Sequence, residues 1–312
     1  MNCLRSVEIK GRRSFPFFED FISNKTPCKI YSDGGSYIGI PVSSIPSRRR
    51  SFILKTDLEF LVDDLYKEAV SNEISVKDIP GYIRDRVLIL HPDAEGLEDL
   101  ICRRLNRERL NLFARKKRFR RKAFLNKWNY FLTFTYDGDR HSESAFKEKL
   151  RKCLSNLHSR RGWLYMGVWE RAPKTGRLHF HAIAYVPPGQ MVGSIYERRD
   201  YSSKKHAYQI THGNTFFEAR FGRCDFSELS DAELRHGNTM SYLLKYLGKT
   251  NDRIVYSRGI PSEVFGYVED DDIAAEYFYF VRKLVLFDDV ILDEDLLISE
   301  NFTSIPLFHI TS

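Results

Sequence analysis

The clearest pattern of apolar and polar positions lies between residues 130 and 185. Three runs there are rich in aromatic and β-branched residues, at positions 130–136, 162–170 and 177–185. Such runs are typical of strands, and the turn-forming residues between them predict that each strand reverses direction. The last two runs are joined by the short segment Pro173-Lys-Thr-Gly176, which predicts a hairpin.

A helix is predicted between the first two strands, because apolar residues recur there on one helical face after Ser142 or Ser144. A polar insertion follows the third strand, then a predicted strand within residues 215–229 and a helix over residues 240–249, capped by Asn238 or Thr239. This order predicts an α+β domain, with an antiparallel sheet and helices on one of its faces.

The segments on either side have weaker patterns. Residues 29–41 read as a hairpin turned at Asp33-Gly-Gly35, and Thr56 with Glu59 forms a capping box that begins a helix. Acidic residues cluster at 269–272 and 288–295. We therefore divide the chain into a mixed N-terminal extension (1–125), a central domain (126–262) and an acidic C-terminal tail (263–312).

Charge adds a candidate partner. The formal net charge of +7 and the pI near 9.0 favour a polyanion, of which nucleic acid is the commonest. The densest positive charge lies in a predicted helical segment, where it could bind phosphates or form a solvated helix face, and the pattern alone supports both equally. The candidate DNA-binding residues are Arg115, Lys116, Lys117, Arg118, Arg120, Arg121 and Lys122.

Several classes of protein are excluded by the sequence. The five cysteines include no Cys-x-x-Cys pair, and with no export signal they are expected to be reduced thiols in a cytoplasm. No run is long and apolar enough to span a membrane, so no membrane partner is expected. Gly248-Lys-Thr250 ends like a P-loop, but the glycine that this motif requires is replaced by Leu243, so no nucleotide cofactor is expected.

The first chemical candidate is His179-Phe-His181 on the third strand. Residues two apart in a strand share a face, so both imidazoles project together and could bind a divalent metal. A hairpin turned at Lys174-Thr175 would set Glu170 opposite His179 and supply a third ligand. The alternatives are two ordinary half-buried histidines and a surface carboxylate paired with an arginine.

The second candidate is the helix segment Tyr242-Leu-Leu-Lys-Tyr246. Positions i, i+3 and i+4 share a helix face, so Tyr242, Lys245 and Tyr246 are expected to project together. A phenol attacks phosphorus only if its developing negative charge is stabilised, and a nearby lysine and a metal-bound phosphate would do so. The alternative is a solvated stripe on an amphipathic helix.

Together with the strand at 131–135, and in this order along the chain, these two candidates resemble the HUH endonucleases (histidine, hydrophobic residue, histidine). The resemblance is greatest to the replication initiators of small single-stranded DNA phages and rolling-circle plasmids. The strand at 131–135 is similar to the family's first motif, the His-Phe-His strand to its second, and the tyrosine helix to its third. The resemblance covers residues 129–261. It implies a ferredoxin-like antiparallel sheet.

The resemblance also implies a mechanism. Mg²⁺ or Mn²⁺ on Glu170, His179 and His181 would polarise the phosphate, and Tyr242 would form a 5′-phosphotyrosine while freeing a 3′-OH. Lys245 would offset negative charge. Tyr246 is either a second nucleophile or a partly buried helix tyrosine. The implied partners are single-stranded origin DNA and the host helicase and DNA polymerase, in a bacterial host cytoplasm if a phage encodes the chain.

Three alternatives remain open. Within the same superfamily, the chain could be a transposase or a relaxase, although relaxases usually carry their tyrosine before the histidines. A non-catalytic nucleic-acid-binding module would use exposed aromatics on the sheet, such as Phe131, Tyr136 and Tyr185, and would not need His179. A purely structural phage protein would leave the histidine and tyrosine motifs unexplained.

Overall fold

A computed structural model describes residues 26–45, 54–173, 175–202, 206–247, 253–278, 281–287 and 308–309. The chain divides into two compact units. The first consists of Met1–Pro46 together with Lys116–Ser312, and the second of Ser47–Arg115. Among the described residues, no helix is long and apolar enough to cross a membrane.

The first unit contains a five-stranded antiparallel sheet in the order β8-β3-β5-β4-β9. Its strands are β3 (Tyr130–Thr135), β4 (Leu164–Arg171), β5 (Leu178–Tyr185), β8 (Cys224–Glu228) and β9 (Val255–Tyr256). The three strands predicted between residues 130 and 185 are thus present. In register, Glu170 of β4 and Thr135 of β3 both lie opposite His179 of β5.

One face of this sheet is covered by α4 (Glu143–Arg161) and α5 (Thr215–Phe221). The Ser142 side chain caps α4 by accepting a hydrogen bond from the Ala145 amide, and Gly162 ends the helix in the left-handed region at φ +68°. The apolar stripe of α4 predicted from the sequence is buried against the sheet: Phe146, Leu150, Leu154 and Leu157, with Cys153 half-buried beside them.

The opposite face is covered by α6 (Asp231–His236), α7 (Thr239–Tyr246) and the end of α3 (Leu97–Leu125). Met240 and Leu243 of α7 pack against Met166, Val168 and Ile183 of the sheet. The α+β class and the antiparallel sheet are confirmed. The structure adds a helical layer on the second face, which the prediction of helices on one face did not include.

The strand predicted within residues 215–229 is correct only for its second half. Residues 215–221 form α5, because the Asn214 side chain accepts hydrogen bonds from the Phe216 and Phe217 amides and starts a helix there. Phe217 and Phe221 then lie one turn apart and are both buried. The helix predicted over 240–249 is α7, and its last predicted residues lie outside the described residues.

A six-stranded sheet in the first unit combines strands from residues 26–41 with strands from residues 264–309, in the order β11-β12-β2-β1-β10-β13. The predicted hairpin is present in it as β1 (Thr26–Ser32) and β2 (Tyr37–Pro41), and β1 also pairs with β10 (Val264–Val268). The remaining strands are β11 (Ile273–Phe278), β12 (Arg282–Leu286) and β13 (Phe308–His309). The compact units therefore differ from the predicted boundaries at 125/126 and 262/263, because both flanking segments contribute strands to one sheet.

A two-stranded ribbon, β6 (Ile195–Ser202) and β7 (Ala207–Asn214), forms the predicted polar insertion of the first unit. The second unit is helical. It contains α1 (Asp57–Ser71), which begins with the predicted Thr56 and Glu59 capping box, and α2 (Ile79–Leu90). Helix α3 contributes residues to both units. The core of the second unit consists of apolar residues of these helices: Val62, Leu65, Ala69, Ile79, Ile83, Val87, Leu97 and Ile101.

The sheet is closely packed around Gly167 in β4, and a substitution there can test this packing. A Cβ atom at this position would lie 2.6 Å from the His181 carbonyl oxygen and 2.7 Å from Ala182 Cβ. We expect Gly167→Ala to lower the free energy of unfolding by about 1–3 kcal/mol, because β4 and β5 must separate to admit the methyl group. Chemical denaturation of the purified protein measures this change.

Gly81→Ala is the matched control, because no atom of the described residues lies within 4 Å of a Cβ built at Gly81 in α2. It should leave stability unchanged or raise it by roughly 0.5–1 kcal/mol, as alanine generally does in a helix. Equal effects of the two substitutions would contradict the close packing described for β4.

Candidate active site

The candidate site lies on the sheet face that α7 covers. Residues two apart in a strand share a face, so the antiparallel register brings His179 and His181 of β5 together with Glu170 of β4. The position of Glu170 opposite His179 is the register expected from a two-residue turn at 174–175. On β3, Thr133 lies opposite His181 and Thr135 lies opposite His179.

Glu170 and His181 form the centre of the site. Glu170 Oε2 lies 2.7 Å from His181 Nε2, and both side chains are buried, with relative exposures of 6% and 5%. The ring of His179 is half-buried and nearly parallel to that of His181, with centroids 5.9 Å apart. The three predicted metal ligands are therefore neighbours, and two of them are in direct contact.

Two threonines orient the histidines. Thr133 Oγ1 lies 3.1 Å from His181 Nδ1, and Thr135 Oγ1 lies 3.2 Å from His179 Nδ1. A hydroxyl both donates and accepts, so each threonine can serve either tautomer of its histidine and leave Nε2 directed into the site. These residues were not singled out from the sequence. The sequence did contain a signal for them, because polar and apolar residues alternate in Thr133-Phe-Thr135 as they do in His179-Phe-His181.

Helix α7 brings a phenol to the same place. Tyr242 Oη lies 3.2 Å from Glu170 Oε2 and 3.3 Å from His181 Nε2, and the residue remains 37% exposed. Phe131 packs against both the Tyr242 and the His181 rings, with centroids 6.1 Å away in each case. The candidate nucleophile is thus held in contact with two of the candidate ligands.

The other two candidate residues of α7 occupy different environments. Tyr246 is buried, with its ring 4.8 Å from that of Tyr242 and 6.0 Å from that of His181. Lys245 is exposed, and its Nζ lies 5.9 Å from the Tyr246 ring centroid. The sequence predicted one shared face for all three residues, whereas Tyr246 packs inward with Met240 and Leu243.

The surroundings of the two tyrosines oppose their ionisation. Burial raises the pKa of Tyr242 above its ordinary value, and the Glu170 carboxylate raises it further. The pKa of Tyr246 is raised by burial and by its hydrogen bond to Glu170. A phenolate at either position therefore requires added positive charge beside Glu170.

The pKa values of Glu170 and of the half-buried His179 also depart from their ordinary values. Burial works to raise the pKa of Glu170, but hydrogen bonds from His181 and Tyr246 outweigh it, and the pKa is lowered. Burial, followed by the charge of His181, lowers the pKa of His179. At neutral pH the site thus holds a carboxylate and a neutral His179, which are the protonation states of metal ligands.

The donor set is chemically suited to a divalent cation, because two imidazoles and a carboxylate leave coordination positions for oxygen ligands. Within the described parts of the chain, however, no three His, Cys, Asp or Glu side chains are arranged to hold a metal ion. Glu170 instead bonds His181 Nε2 directly. Glu170 and His181 would have to give up that contact to act as metal ligands together with His179.

Three residues of the predicted DNA-binding segment make contacts within the first unit. Arg120 donates to the Asp33 carbonyl, Arg121 stacks 3.4 Å above the Tyr31 ring, and Lys122 donates to the Ile260 carbonyl. Burial and the nearby Arg118 lower the pKa of Lys122.

The remaining predicted DNA-binding residues are more open. Lys117 and Arg118 are exposed and Lys116 is half-buried, while Arg115 belongs to the second unit. Partial desolvation of the Lys117 amine, followed by the charge of Arg121, lowers the pKa of Lys117 although the residue is exposed. The structure therefore gives Arg120, Arg121 and Lys122 contacts within the protein and leaves solvent-facing charge on the preceding turn.

Comparison with known proteins relates part of the chain to a protein family. Neither the curated proteins nor the solved structures include a match to this chain. Residues 129–251 match a family model of replication-associated proteins, the ORF2 type. The matched region contains β3, β4, β5 and α7, and therefore every residue of the candidate site. This part of the chain is similar to a family of replication-associated proteins, which is consistent with a replication initiator.

Proposed function

We propose that the protein is a replication initiator that nicks one strand of origin DNA through a tyrosine nucleophile. The observation that carries this proposal is the meeting of the Tyr242 phenol, the Glu170 carboxylate and the His181 imidazole within 3.3 Å of one another. They meet inside the region that matches a replication-associated family. A phenol beside a metal-type donor set is suited to phosphoryl transfer.

In the proposed reaction Tyr242 Oη attacks the scissile phosphorus and loses its proton. The bond from phosphorus to the 3′ oxygen breaks, and that oxygen gains a proton. The products are a 5′-phosphotyrosine on the protein and a strand with a free 3′-OH, which host DNA polymerase and helicase would use for rolling-circle replication. When bound by Glu170, His179 and His181, Mg²⁺ or Mn²⁺ supplies positive charge at the phosphate and the phenol.

The chain's own residues have separate roles in this reaction. Phe131 holds the Tyr242 ring at the sheet surface, and Thr133 and Thr135 fix the two histidine rings. Lys245 adds a positive charge on the exposed side of α7, where the DNA strand approaches. Tyr242 is the first nucleophile because it is partly exposed, whereas Tyr246 is 7% exposed and must move before it can reach a phosphate.

The test of this proposal uses single-stranded origin DNA labelled at one end or the other, with Mn²⁺ or with EDTA. We expect the 3′-labelled strand to become attached to the protein in Mn²⁺ and the 5′-labelled strand to be released. The released strand should be extended by a DNA polymerase, since it carries a 3′-OH. Release of both fragments free of protein, or no cleavage at all, would rule out the proposed reaction.

A non-catalytic nucleic-acid-binding module is less well supported. Such a module presents aromatic side chains on an open sheet, but both faces of this sheet are covered by helices. Phe131 packs against His181 and Tyr242, and the Tyr136 hydroxyl donates to the His141 carbonyl. A transposase or relaxase of the same superfamily would share the chemistry, and the DNA that is cleaved would distinguish it.

Thr133→Val tests the support of His181. Valine has the same shape as threonine but cannot hydrogen-bond Nδ1, so the ring loses its orienting partner. We expect the affinity for Mn²⁺ to fall roughly 10–100-fold, as when other outer-shell partners of metal ligands are removed. Isothermal titration with Mn²⁺ measures this.

The matched control is Thr211→Val in the ribbon, where the hydroxyl bonds Arg198 and Asp200, away from the metal ligands. It should leave Mn²⁺ affinity unchanged. If both variants bind Mn²⁺ as tightly as the unaltered protein, Thr133 has no role in holding a metal ligand.

A further inference from the structure

Helix α4 has a charged outer surface that the proposed reaction does not use. Its inner side packs on the sheet face opposite the one that carries Glu170, His179 and His181. Its outer side is exposed and basic, with Lys149, Arg151, Lys152, Arg160 and Arg161. Within the described residues, Lys152, Arg160 and Arg161 form no ion pair with a carboxylate.

A groove runs along each side of α4. The first, of about 910 Å³, is lined by Lys149, Lys152, Arg160, Arg161 and Arg220, and none of the described residues lining it is acidic. The Arg220 guanidinium carbon lies over the Phe216 ring, 3.7 Å from its centroid, and this contact holds the guanidinium at the groove. This groove therefore has the charge of a site for a chain of phosphates.

The second groove, of about 1250 Å³, lies between α4 and the β9 edge of the sheet. Lys152 lines this groove as well as the first, so it stands on the ridge between them. Among the described residues that line it, the other lysines and arginines are Lys147, Arg151, Arg253 and Arg258, and Glu148 contributes one carboxylate. Positive charge therefore flanks the helix on both sides.

The crest of α4 is made of small and polar side chains. Ser155 and Ser159 lie one turn apart on the exposed side, and Asn156 is exposed beside them. Serine and asparagine are short enough to allow close approach, and both can hydrogen-bond base edges. The 19 residues of α4 extend about 28 Å, and a helix fits the major groove of B-DNA, which is about 12 Å wide.

We propose that α4 docks in the major groove of double-stranded DNA, with the cations of the two grooves on the phosphates of the two strands. A helix in the major groove has phosphates of a different DNA strand on each side, and α4 has cations on both of its sides. A single strand would not require cations on both sides. The inference rests on the proposed function, since the origin strand that is cut belongs to a duplex. It assigns the duplex to the sheet face opposite the reaction.

The test measures duplex binding by fluorescence anisotropy from about 0.05 to 0.3 M salt, with the full-length protein carrying Lys152→Gln, Arg160→Gln and Arg161→Gln. Each phosphate contact contributes about 0.9 to the slope of log affinity against log salt. We expect that slope to become shallower by about 2–3 and the Kd near 0.15 M salt to rise at least about 10-fold. Cleavage of a short single-stranded oligonucleotide should be unchanged.

The control variant removes the same number of charges from the second unit, by Lys67→Gln, Lys77→Gln and Arg86→Gln. It should bind duplex DNA with nearly the slope of the unaltered protein. Equal losses in the two variants would overturn the docking site, as would equal losses of duplex and single-stranded affinity in the α4 variant. If the unaltered protein cleaves no DNA but only the α4 variant loses duplex binding, the docking site stands and the proposed reaction fails.

Discussion

Replacing Tyr242 with phenylalanine is expected to slow formation of the covalent protein–DNA adduct roughly 10³-fold or more, because the attacking oxygen is removed. The fold should persist. Tyr242 is 37% exposed and its hydroxyl contacts Glu170 and His181, which still bond each other, so we expect the free energy of unfolding to change by no more than about 1 kcal/mol. Denaturing gels of protein mixed with labelled origin DNA measure the adduct.

Tyr246→Phe is the matched control, since it removes the same hydroxyl one helical turn away. The first cleavage should proceed in this variant at close to the normal rate, because Tyr246 is buried behind Tyr242. Loss of a later rejoining step would identify Tyr246 as a second nucleophile. Normal adduct formation by Tyr242→Phe would show that the first nucleophile is a different residue.

His181→Ala is expected to abolish Mn²⁺-dependent cleavage, and much of the phosphate-driven DNA binding should remain. His181 is the candidate ligand in direct contact with both Glu170 and Tyr242, so its loss removes one metal donor and one neighbour of the nucleophile. DNA binding depends on cations elsewhere on the surface, which the substitution does not touch. Cleavage and anisotropy assays on the same preparation separate the two effects.

His236→Ala provides the comparison, because His236 is an exposed histidine at the end of α6. It should cleave and bind DNA as the unaltered protein does. Cleavage by His181→Ala at the normal rate in Mn²⁺ would remove His181 from the metal site. Loss of cleavage in both variants would indicate an effect on the fold and not on a ligand.

The local register of the site was predictable from the sequence. A hairpin between β4 and β5 with its centre at 174–175 determines which residues face one another, and Glu170 does lie opposite His179. Helix α4 was equally predictable, because its apolar residues recur at helical spacing and Ser142 caps it. These features depend on neighbours within a few residues, where spacing and side-chain type determine the structure.

Pairings between distant segments were not predictable. Nothing in residues 26–32 indicates that β1 pairs with β10, more than 230 residues later, and the flanking segments were therefore assigned to separate regions. Helix spacing likewise placed Tyr246 with Tyr242 and Lys245, whereas tertiary packing buries Tyr246 beside His181. The spacing of side chains along a helix determines which residues share a face. It does not determine which of those residues are covered by tertiary packing.

Charge patterns were ambiguous for a related reason. Arg121 and Lys122 belong to the densest basic run, yet Arg121 stacks on Tyr31 and Lys122 bonds the Ile260 carbonyl. The basic outer side of α4 is less dense in the sequence, because apolar positions interrupt it every three or four residues. In the folded helix those positions turn inward, and the cations lie on its outer side.

The most direct test of the account identifies the residue that carries DNA after cleavage. The protein is incubated with single-stranded origin DNA in Mn²⁺ or EDTA, digested with nuclease and protease, and its peptides are examined by mass spectrometry. We expect a nucleotide linked through phosphate to Tyr242, present in Mn²⁺ and absent in EDTA. A nucleotide linked to a residue outside α7, or no linked nucleotide in Mn²⁺, would contradict it.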